Sequence, residues 1–170
     1  MATAVYPGSF DPPTLGHLDI IRRAAAQFDR VVVCVLYNSA KSGLFTPEER
    51  LELLQKSLAG LPGVDNVEID RDSGLLVDYV RRKKATCVVK GLRSVGDFEY
   101  ELQMADVNRK LSGVETVFLT ARPELSFLSS TIVRELGRYQ VELRGSVSDA
   151  VAEEVARRIR ERLLPGAERE

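Results

Sequence analysis

The sequence has little cysteine, almost no net charge and no long apolar run. Its two cysteines, Cys34 and Cys87, lie in apolar stretches, as buried thiols of a cytoplasmic protein do, which argues against a disulfide framework. The 24 Lys and Arg residues against 25 Asp and Glu give a formal charge of −1, which disfavours a nucleic-acid partner. No run of 18 apolar residues and no signal-peptide pattern occurs, so we expect neither a membrane partner nor secretion.

Short apolar runs alternate with longer segments of helical periodicity. The predicted strands are Thr3–Tyr6, Arg30–Leu36, Val64–Ile69, Thr86–Lys90 and Thr116–Leu119. The predicted helices are Gly16–Gln27, a helix opening at Thr46, Gly74–Lys83, Asp97–Leu111, Ser130–Arg138 and Ser148–Leu164. This alternation predicts an α/β fold: a single doubly wound, Rossmann-like domain over residues 1–164, with a five-stranded parallel sheet and helices on both faces. Residues 165–170 are expected to form a flexible tail.

The first strand–helix connection, Tyr6–His17, fits neither a dinucleotide fingerprint nor a P-loop, yet it has the features of a phosphate site. Gly8 permits close backbone approach, and Ser9 offers a hydroxyl and an amide. Thr14 is placed to cap the helix, which puts His17, the only histidine, in its first turn with the imidazole leaning back over the loop. The positive helix end favours a neutral imidazole that donates to a phosphate. The plainer interpretation is a Gly- and Pro-rich turn with a surface histidine.

The connection after the fourth strand places Lys90 and Arg93 on either side of Gly91. The carboxyl edge of a central parallel strand is a common ligand site, and Arg93 can fork onto a polyphosphate. An ordinary charged loop is the alternative.

Hydroxyl groups cluster at Ser126–Thr131, where a helix is predicted to begin. They exceed what a single cap needs, and Arg134 shares a face with Ser130 and Thr131. This arrangement suits a β- or γ-phosphate.

Lys41 follows the second strand, which should lie beside the first; a lysine in such a loop is ordinarily a solvated surface residue.

The sequence shows no His/Cys cluster with zinc-ligand spacing, no nucleophile elbow and no CxxC pair. Phosphate-binding loops without a covalent nucleophile indicate direct phosphoryl or nucleotidyl transfer.

Several of these segments resemble one enzyme family. Thr14–His17 is similar to the (T/H)xGH motif of the nucleotidyltransferase superfamily, and Leu128–Arg134 to its ISSTxxR motif, with Leu in place of Ile. Tyr6–Pro12 and Lys90–Glu101 resemble the bacterial phosphopantetheine adenylyltransferases in particular. The similarity runs from about Ala4 to about Arg138. The chain departs from the common family pattern at Lys90 (often arginine), Leu125 (usually aromatic) and Ser39 (often proline).

The resemblance implies transfer of AMP from ATP to 4′-phosphopantetheine, giving dephospho-coenzyme A and pyrophosphate, with Mg²⁺ carried on ATP and no dedicated protein metal site. It implies His17, Lys41 and Arg93 as catalytic residues and Ser9, Lys41, Leu76 and Lys90 as the 4′-phosphopantetheine site. The implied ATP site comprises Ser9, Phe10, His17, Gly91, Leu92, Arg93, Glu101, Leu125, Ser126, Phe127, Leu128, Ser129, Ser130 and Thr131. It also implies a homohexamer built as a dimer of trimers.

Other functions remain open from the sequence. Within the superfamily, a glycerol-phosphate cytidylyltransferase or a nicotinamide-mononucleotide adenylyltransferase is the rival, against which the Lys90–Arg93 and Asp97–Glu101 segments argue. A nucleotide sensor without catalysis and a structural subunit are the alternatives from other classes. The latter does not explain cations clustered at strand ends.

Overall fold

The computed structural model describes residues 1–164, so the predicted tail at 165–170 lies outside the described residues. The strands are β1 (Thr3–Gly8), β2 (Arg30–Leu36), β3 (Val67–Asp72), β4 (Cys87–Leu92) and β5 (Glu115–Thr120). The helices are α1 (Leu15–Ala25), α2 (Pro47–Leu58), α3 (Leu76–Lys83), α4 (Val95–Ser112), α5 (Ser130–Arg138) and α6 (Ala152–Leu163), with a short 3-10 turn at Pro123–Leu125. No helix within residues 1–164 is long and apolar enough to cross a membrane.

The five strands form one parallel sheet in the order β3-β2-β1-β4-β5. Side chains alternate across it: Tyr6 and Val33 pack on one face with α1 and α2, whereas Val5 and Val32 pack on the other with α3. Helices on both faces and a single five-stranded parallel sheet confirm the predicted fold class. From β1 the chain adds β2 and β3 on one side of the sheet and then β4 and β5 on the other, so the strand order switches between β1 and β4. In parallel sheets, ligands bind at the carboxyl ends of the strands that flank such a switch point.

A third apolar cluster attaches the C-terminal helix to the domain. Val155 and Ile159 of α6 are fully buried against Leu53 of α2 and Val133 of α5. A Cβ on Gly137 would lie 2.6 Å from Ile159 Cδ1, so only glycine permits this approach of α5 to α6. The packing partners of α6 are therefore α2 and α5.

The predicted starts of two elements, the third strand and the last helix, differ most from the structure. The third strand begins at Val67 rather than Val64, because Asn66 donates to the carbonyls of Ala25 and Phe28 and ties the preceding segment to the end of α1. The last helix begins at Ala152 rather than 148, after a turn in which the Val151 amide donates to the Ser148 carbonyl.

Candidate active site

A cavity of about 550 Å³ opens at the carboxyl ends of β1 and β4. Its walls come from all three loops that the sequence singled out. The lining residues are Tyr6, Pro7, Gly8, Ser9, Thr14, Gly16, His17, Ile20, Lys90, Gly91, Arg93, Asp97, Tyr100, Glu101, Ala121, Leu125, Leu128, Ser129 and Ser130. We call this space the nucleotide cavity.

Thr14 and His17 cap the first turn of α1 reciprocally. The Thr14 hydroxyl accepts from the His17 amide at 3.3 Å, and the Thr14 amide donates to His17 Nδ1 at 3.0 Å. An amide can only donate, so Nδ1 accepts and the proton of a neutral imidazole resides on Nε2. Histidine thus takes the role that Glu or Gln fills in the usual capping box. The predicted cap and first-turn position are confirmed.

The imidazole of His17 is held neutral. Burial against the edge of the Phe10 ring, with centroids 5.0 Å apart, and then the positive charge of Arg93 lower the pKa of His17 to about 4. Desolvation disfavours the charged form of a histidine, and a nearby cation adds to that effect. The predicted neutral donor is therefore supported, but with burial and Arg93 as the causes.

Phe10 supports the first loop from beneath and does not line the cavity. Its fully buried ring contacts Tyr6 edge-on, with centroids 5.5 Å apart, as well as His17. A Cβ on Gly8 would lie 2.9 Å from that ring, so Gly8 also makes room for Phe10, a role beyond the close phosphate approach read from the sequence.

The end of β4 brings both predicted cations to the nucleotide cavity, each beside an acid of α4. Lys90 Nζ lies 3.0 Å from Glu101 Oε2. Arg93 pairs with Asp97 at 2.9 Å and donates to the Leu128 carbonyl at 3.3 Å. These ion pairs orient both cations at the wall of the cavity.

The third loop contributes part of its predicted set. Leu125, Leu128, Ser129 and Ser130 line the cavity, whereas Ser126, Phe127, Thr131 and Leu92 of β4 are not among its lining residues. The Ser129 hydroxyl caps α5 by accepting from the Ile132 amide at 3.1 Å, and the Ser130 hydroxyl donates to the Pro12 carbonyl at 2.7 Å. The Ser130 hydroxyl therefore connects the third loop to the first.

Arg134, for which the sequence suggested contact with a β- or γ-phosphate, does not line the nucleotide cavity. Its guanidinium donates to the Asp11 carbonyl at 2.5 Å and to the Thr131 hydroxyl at 3.1 Å. The helical spacing identified its face correctly, but that face turns toward the first loop.

Leu76 and Lys41 lie in two neighbouring cavities. Leu76 lines a more apolar space of about 400 Å³, here called the arm cavity, which shares Pro7, Gly8, Ser9, Lys90, Tyr100 and Glu101 with the nucleotide cavity. Lys41 is exposed and lines a third cleft of about 670 Å³ on the other side of Ser9. Ser9 alone among the predicted substrate residues borders all three.

Asp11 and Arg50 are the buried ionic pair that sequence reasoning missed. Asp11 accepts the amides of Leu44 at 2.9 Å and Phe45 at 2.8 Å, and Arg50 Nε lies 3.4 Å from its carboxylate. Arg50 also donates to the Phe45 carbonyl at 2.7 Å. An arginine buried on the inner face of α2 was the available signal, because such a charge requires a partner.

The comparisons with known proteins agree with this geometry. The cytidylyltransferase-like family model matches residues 5–136, so the fold and site define a nucleotidyltransferase. A phosphopantetheine adenylyltransferase of Clostridium perfringens strain SM101 is 48% identical over 160 residues, covering 94% of this chain and 96% of that protein. The chain belongs to the phosphopantetheine adenylyltransferase family, as its motifs implied.

Solved structures support the fold alone. A bifunctional NMN adenylyltransferase/ADP ribose pyrophosphatase of Francisella tularensis superposes with a TM-score of 0.68 at 15% identity, covering 92% of this chain and 49% of that one. A lipopolysaccharide core biosynthesis protein of Thermoplasma volcanium gives 0.51 at 24% identity, covering 72% and 97%.

Proposed function

We propose that the protein transfers AMP from ATP to 4′-phosphopantetheine, releasing pyrophosphate and forming dephospho-coenzyme A. The observation that carries this proposal is the junction of the nucleotide cavity with the arm cavity at Ser9, Lys90 and Glu101. The arm cavity is lined by apolar side chains, among them Leu76 and Met104, which suit a long, weakly polar pantetheine arm. The membership of the family supports the same reaction.

The acceptor phosphate attacks the α-phosphate of ATP directly. A phosphate monoester loses its second proton near pH 6, so at pH 7 the acceptor is largely a dianion and needs no general base. Catalysis then consists of positioning two anions in line and stabilising charge on the transferred group. Positively charged and hydrogen-bond-donating groups are what this chain supplies.

His17 donates its Nε2 proton to an α-phosphate oxygen and keeps that role at neutral pH because the ring is not a cation. Arg93 leaves Asp97 to bind the polyphosphate. Lys90, at the junction of the two cavities, and Lys41 approach the acceptor phosphate and reduce its repulsion from ATP. The Ser129 and Ser130 segment at the start of α5 lines the other wall of the ATP site.

Mg²⁺ enters this scheme bound to the phosphates of ATP, whose charge it neutralises. The two carboxylates that line the nucleotide cavity, Asp97 and Glu101, are each paired with a cation in this structure. Within residues 1–164, no group of three or more His, Cys, Asp or Glu side chains is arranged to hold a metal. Activity should follow the concentration of the Mg²⁺–ATP complex.

Self-association into a homohexamer belongs to the same proposal, as does a cytoplasmic location. The exposed apolar side chains of this chain concentrate on α4 and the neighbouring edge strand, where Val95, Phe98, Leu102 and Val117 are more than a third exposed. Exposed apolar side chains grouped on one helix and an edge strand support association with further copies. Light scattering of the purified protein should give a mass near six chains, and Phe98→Glu should lower it.

Pyrophosphate release measures the reaction directly. ATP and Mg²⁺ are supplied with 4′-phosphopantetheine, glycerol 3-phosphate or nicotinamide mononucleotide in separate reactions, with CTP replacing ATP as a control. Release with ATP and 4′-phosphopantetheine alone, with a dephospho-coenzyme A peak by mass, is the expected result. Release with another pair would keep the chemistry and change the substrate. Binding of ATP without release in any reaction would favour a nucleotide sensor.

A further inference from the structure

We propose that Arg162, in the last turn of α6, is a positioning residue for the acceptor phosphate, because it fastens the base of the loop that carries Lys41. This inference rests on the proposed function, in which Lys41 binds the acceptor. We call residues 37–45 the Lys41 loop. Arg162 lies outside the 5–136 segment matched by the family model, so it extends the site to a helix that the motifs do not reach.

Arg162 makes three kinds of contact at the point where the Lys41 loop meets α2. Its Nη1 atom donates to the Leu44 carbonyl at 2.6 Å. Its two terminal nitrogens pair with the carboxylate of Glu49, the third residue of α2, at 2.8 and 2.5 Å. Its guanidinium carbon lies 5.4 Å from the centre of the Phe45 ring. One side chain therefore connects α6 to the loop backbone, to a loop ring and to the next helix.

The same two loop residues are held from the opposite side. Asp11 of the first site loop accepts the amides of Leu44 and Phe45, while Arg162 takes the Leu44 carbonyl. The C-terminal end of the Lys41 loop is thereby held between the first strand–helix connection, which carries Asp11, and α6. Arg162 also lines the third cleft together with Lys41 and Ser9.

Lys41 itself has little local support. Its amide donates to the Asn38 carbonyl at 3.0 Å, and the Ala40 amide donates to the Asn38 side chain at 2.8 Å. Residues 39–43 are exposed. Because Leu44 is only three residues from Lys41, the anchors at Leu44 and Phe45 restrict where the ammonium group can go.

The pair of Arg162 with Glu49 persists over the whole physiological range. The hydrogen bonds from Arg162 lower the pKa of Glu49 to about 2. Arg162→Lys would keep the positive charge and lose the planar, forked guanidinium. A lysine ammonium cannot pair bidentately with the carboxylate while also donating to the carbonyl and lying over the ring. The helix does not depend on Arg162 for its place, because Val155 and Ile159 anchor it in the apolar cluster.

A released loop should weaken acceptor binding in proportion to the time it spends out of position. The apparent dissociation constant equals the intrinsic value divided by the competent fraction, so a fraction of about one tenth raises it about tenfold. In the proposed function ATP binds through other loops, so release of the Lys41 loop should not change the affinity for ATP.

The test compares Arg162→Ala with Arg157→Ala, a matched control on the same helix whose one ion pair within residues 1–164 is with Glu161. We expect Arg162→Ala to raise KM for 4′-phosphopantetheine about tenfold, by the same relation, with KM for ATP unchanged. Arg162→Lys should fall between the wild-type protein and Arg162→Ala. Arg157→Ala should match the wild-type protein in both constants.

Limited trypsin digestion measures how accessible the Lys41 loop is in the absence of substrate. Cleavage after Lys41, followed by the mass of fragment 1–41, should be several-fold faster in Arg162→Ala than in Arg157→Ala. Equal cleavage, an equal rise of both KM values or no change in either would overturn the proposal. If Arg162→Ala does not fold, the same outcomes are decided on Arg162→Lys. A wild-type protein that releases no pyrophosphate from ATP and 4′-phosphopantetheine would overturn the proposed function, and the acceptor role of Arg162 with it.

Discussion

The amide of Thr14 donates to Nδ1 of His17 at 3.0 Å, so the cap of α1 also sets the tautomer of the one histidine in the chain. The hydrogen bond occupies the nitrogen that faces the backbone and leaves the Nε2 proton for a ligand. A structural contact and a chemical role are thus joined in one side chain. Two predictions concern this residue.

His17→Ala should fold and lose activity. Removing one preorganised donor from a transferring phosphoryl group typically costs about 10²–10³ in rate, and we expect a loss of that size in kcat. The substitution also removes half of the capping box, so the thermal unfolding midpoint should fall slightly. Pyrophosphate release under saturating substrates gives kcat, and circular dichroism verifies folding. Wild-type turnover by the folded variant would contradict the assigned role.

The His17 imidazole should remain neutral through the pH range in which histidines usually titrate. Its pKa is lowered to about 4, so the folded protein resists a proton that the unfolded chain accepts below about 6.5. The contribution of this group to stability is therefore present above the unfolded pKa and is lost as pH falls toward 4. The single imidazole makes the NMR titration unambiguous. A midpoint near 6.5 in the folded protein would refute this environment.

Gly43→Ala should destabilise the protein although Gly43 is exposed. A Cβ there would lie 1.6 Å from Arg50 Nη2 and 2.8 Å from Asp11 Oδ2, so the buried guanidinium would have to move. Overpacking of this kind costs about 1–3 kcal/mol. Gly96→Ala in α4, whose Cβ would meet only Ser94 Oγ at 3.9 Å, is the matched control. Urea unfolding compares the two, and equal midpoints would be the contrary result.

Lys90→Gln should weaken acceptor binding. The substitution removes a cation from the junction of the two cavities and leaves Glu101 without its partner, which repels a phosphate dianion. A charge-assisted hydrogen bond is worth about 1.5–3 kcal/mol, so KM for 4′-phosphopantetheine should rise about tenfold or more.

Lys90→Arg should stay close to the wild-type KM, because arginine keeps the charge and adds a fork. The exposed Lys110→Gln in the last turn of α4 serves as the control. If Lys90→Gln leaves KM for 4′-phosphopantetheine unchanged, or if Lys110→Gln raises that KM equally, Lys90 does not bind the acceptor.

Most of the sheet was predictable because β1, β2, β4 and β5 each contain an apolar run. The prediction failed at β3, where Asp70, Arg71 and Asp72 continue the strand at the edge of the sheet. An edge strand tolerates polar side chains, so hydropathy alone places its end too early. The motifs located the three loops that line the nucleotide cavity. They could do so because glycine, serine and histidine at fixed spacing determine the backbone geometry of those loops.

Partnership between distant side chains was not predictable. Helical spacing correctly placed Arg134 on the face of Ser130 and Thr131, but only the fold shows that this face meets Asp11. The family resemblance implied Phe10 as an ATP-site residue, and only the fold shows that its ring packs against His17. Asp11 and Arg50, separated by 39 positions, give no local sign that they share one network.

The continuous wall of Ser9, Lys90, Tyr100 and Glu101 between the nucleotide and arm cavities has a consequence for inhibitor design. A compound whose two halves occupy both spaces loses its translational and rotational freedom once, whereas two separate fragments lose theirs twice. The second half then binds at an effective concentration in the millimolar range when its linker matches the span. Selectivity would reside in the half that occupies the arm cavity, since nucleotide pockets are shared among many enzymes and the arm cavity is the site that we propose for the acceptor.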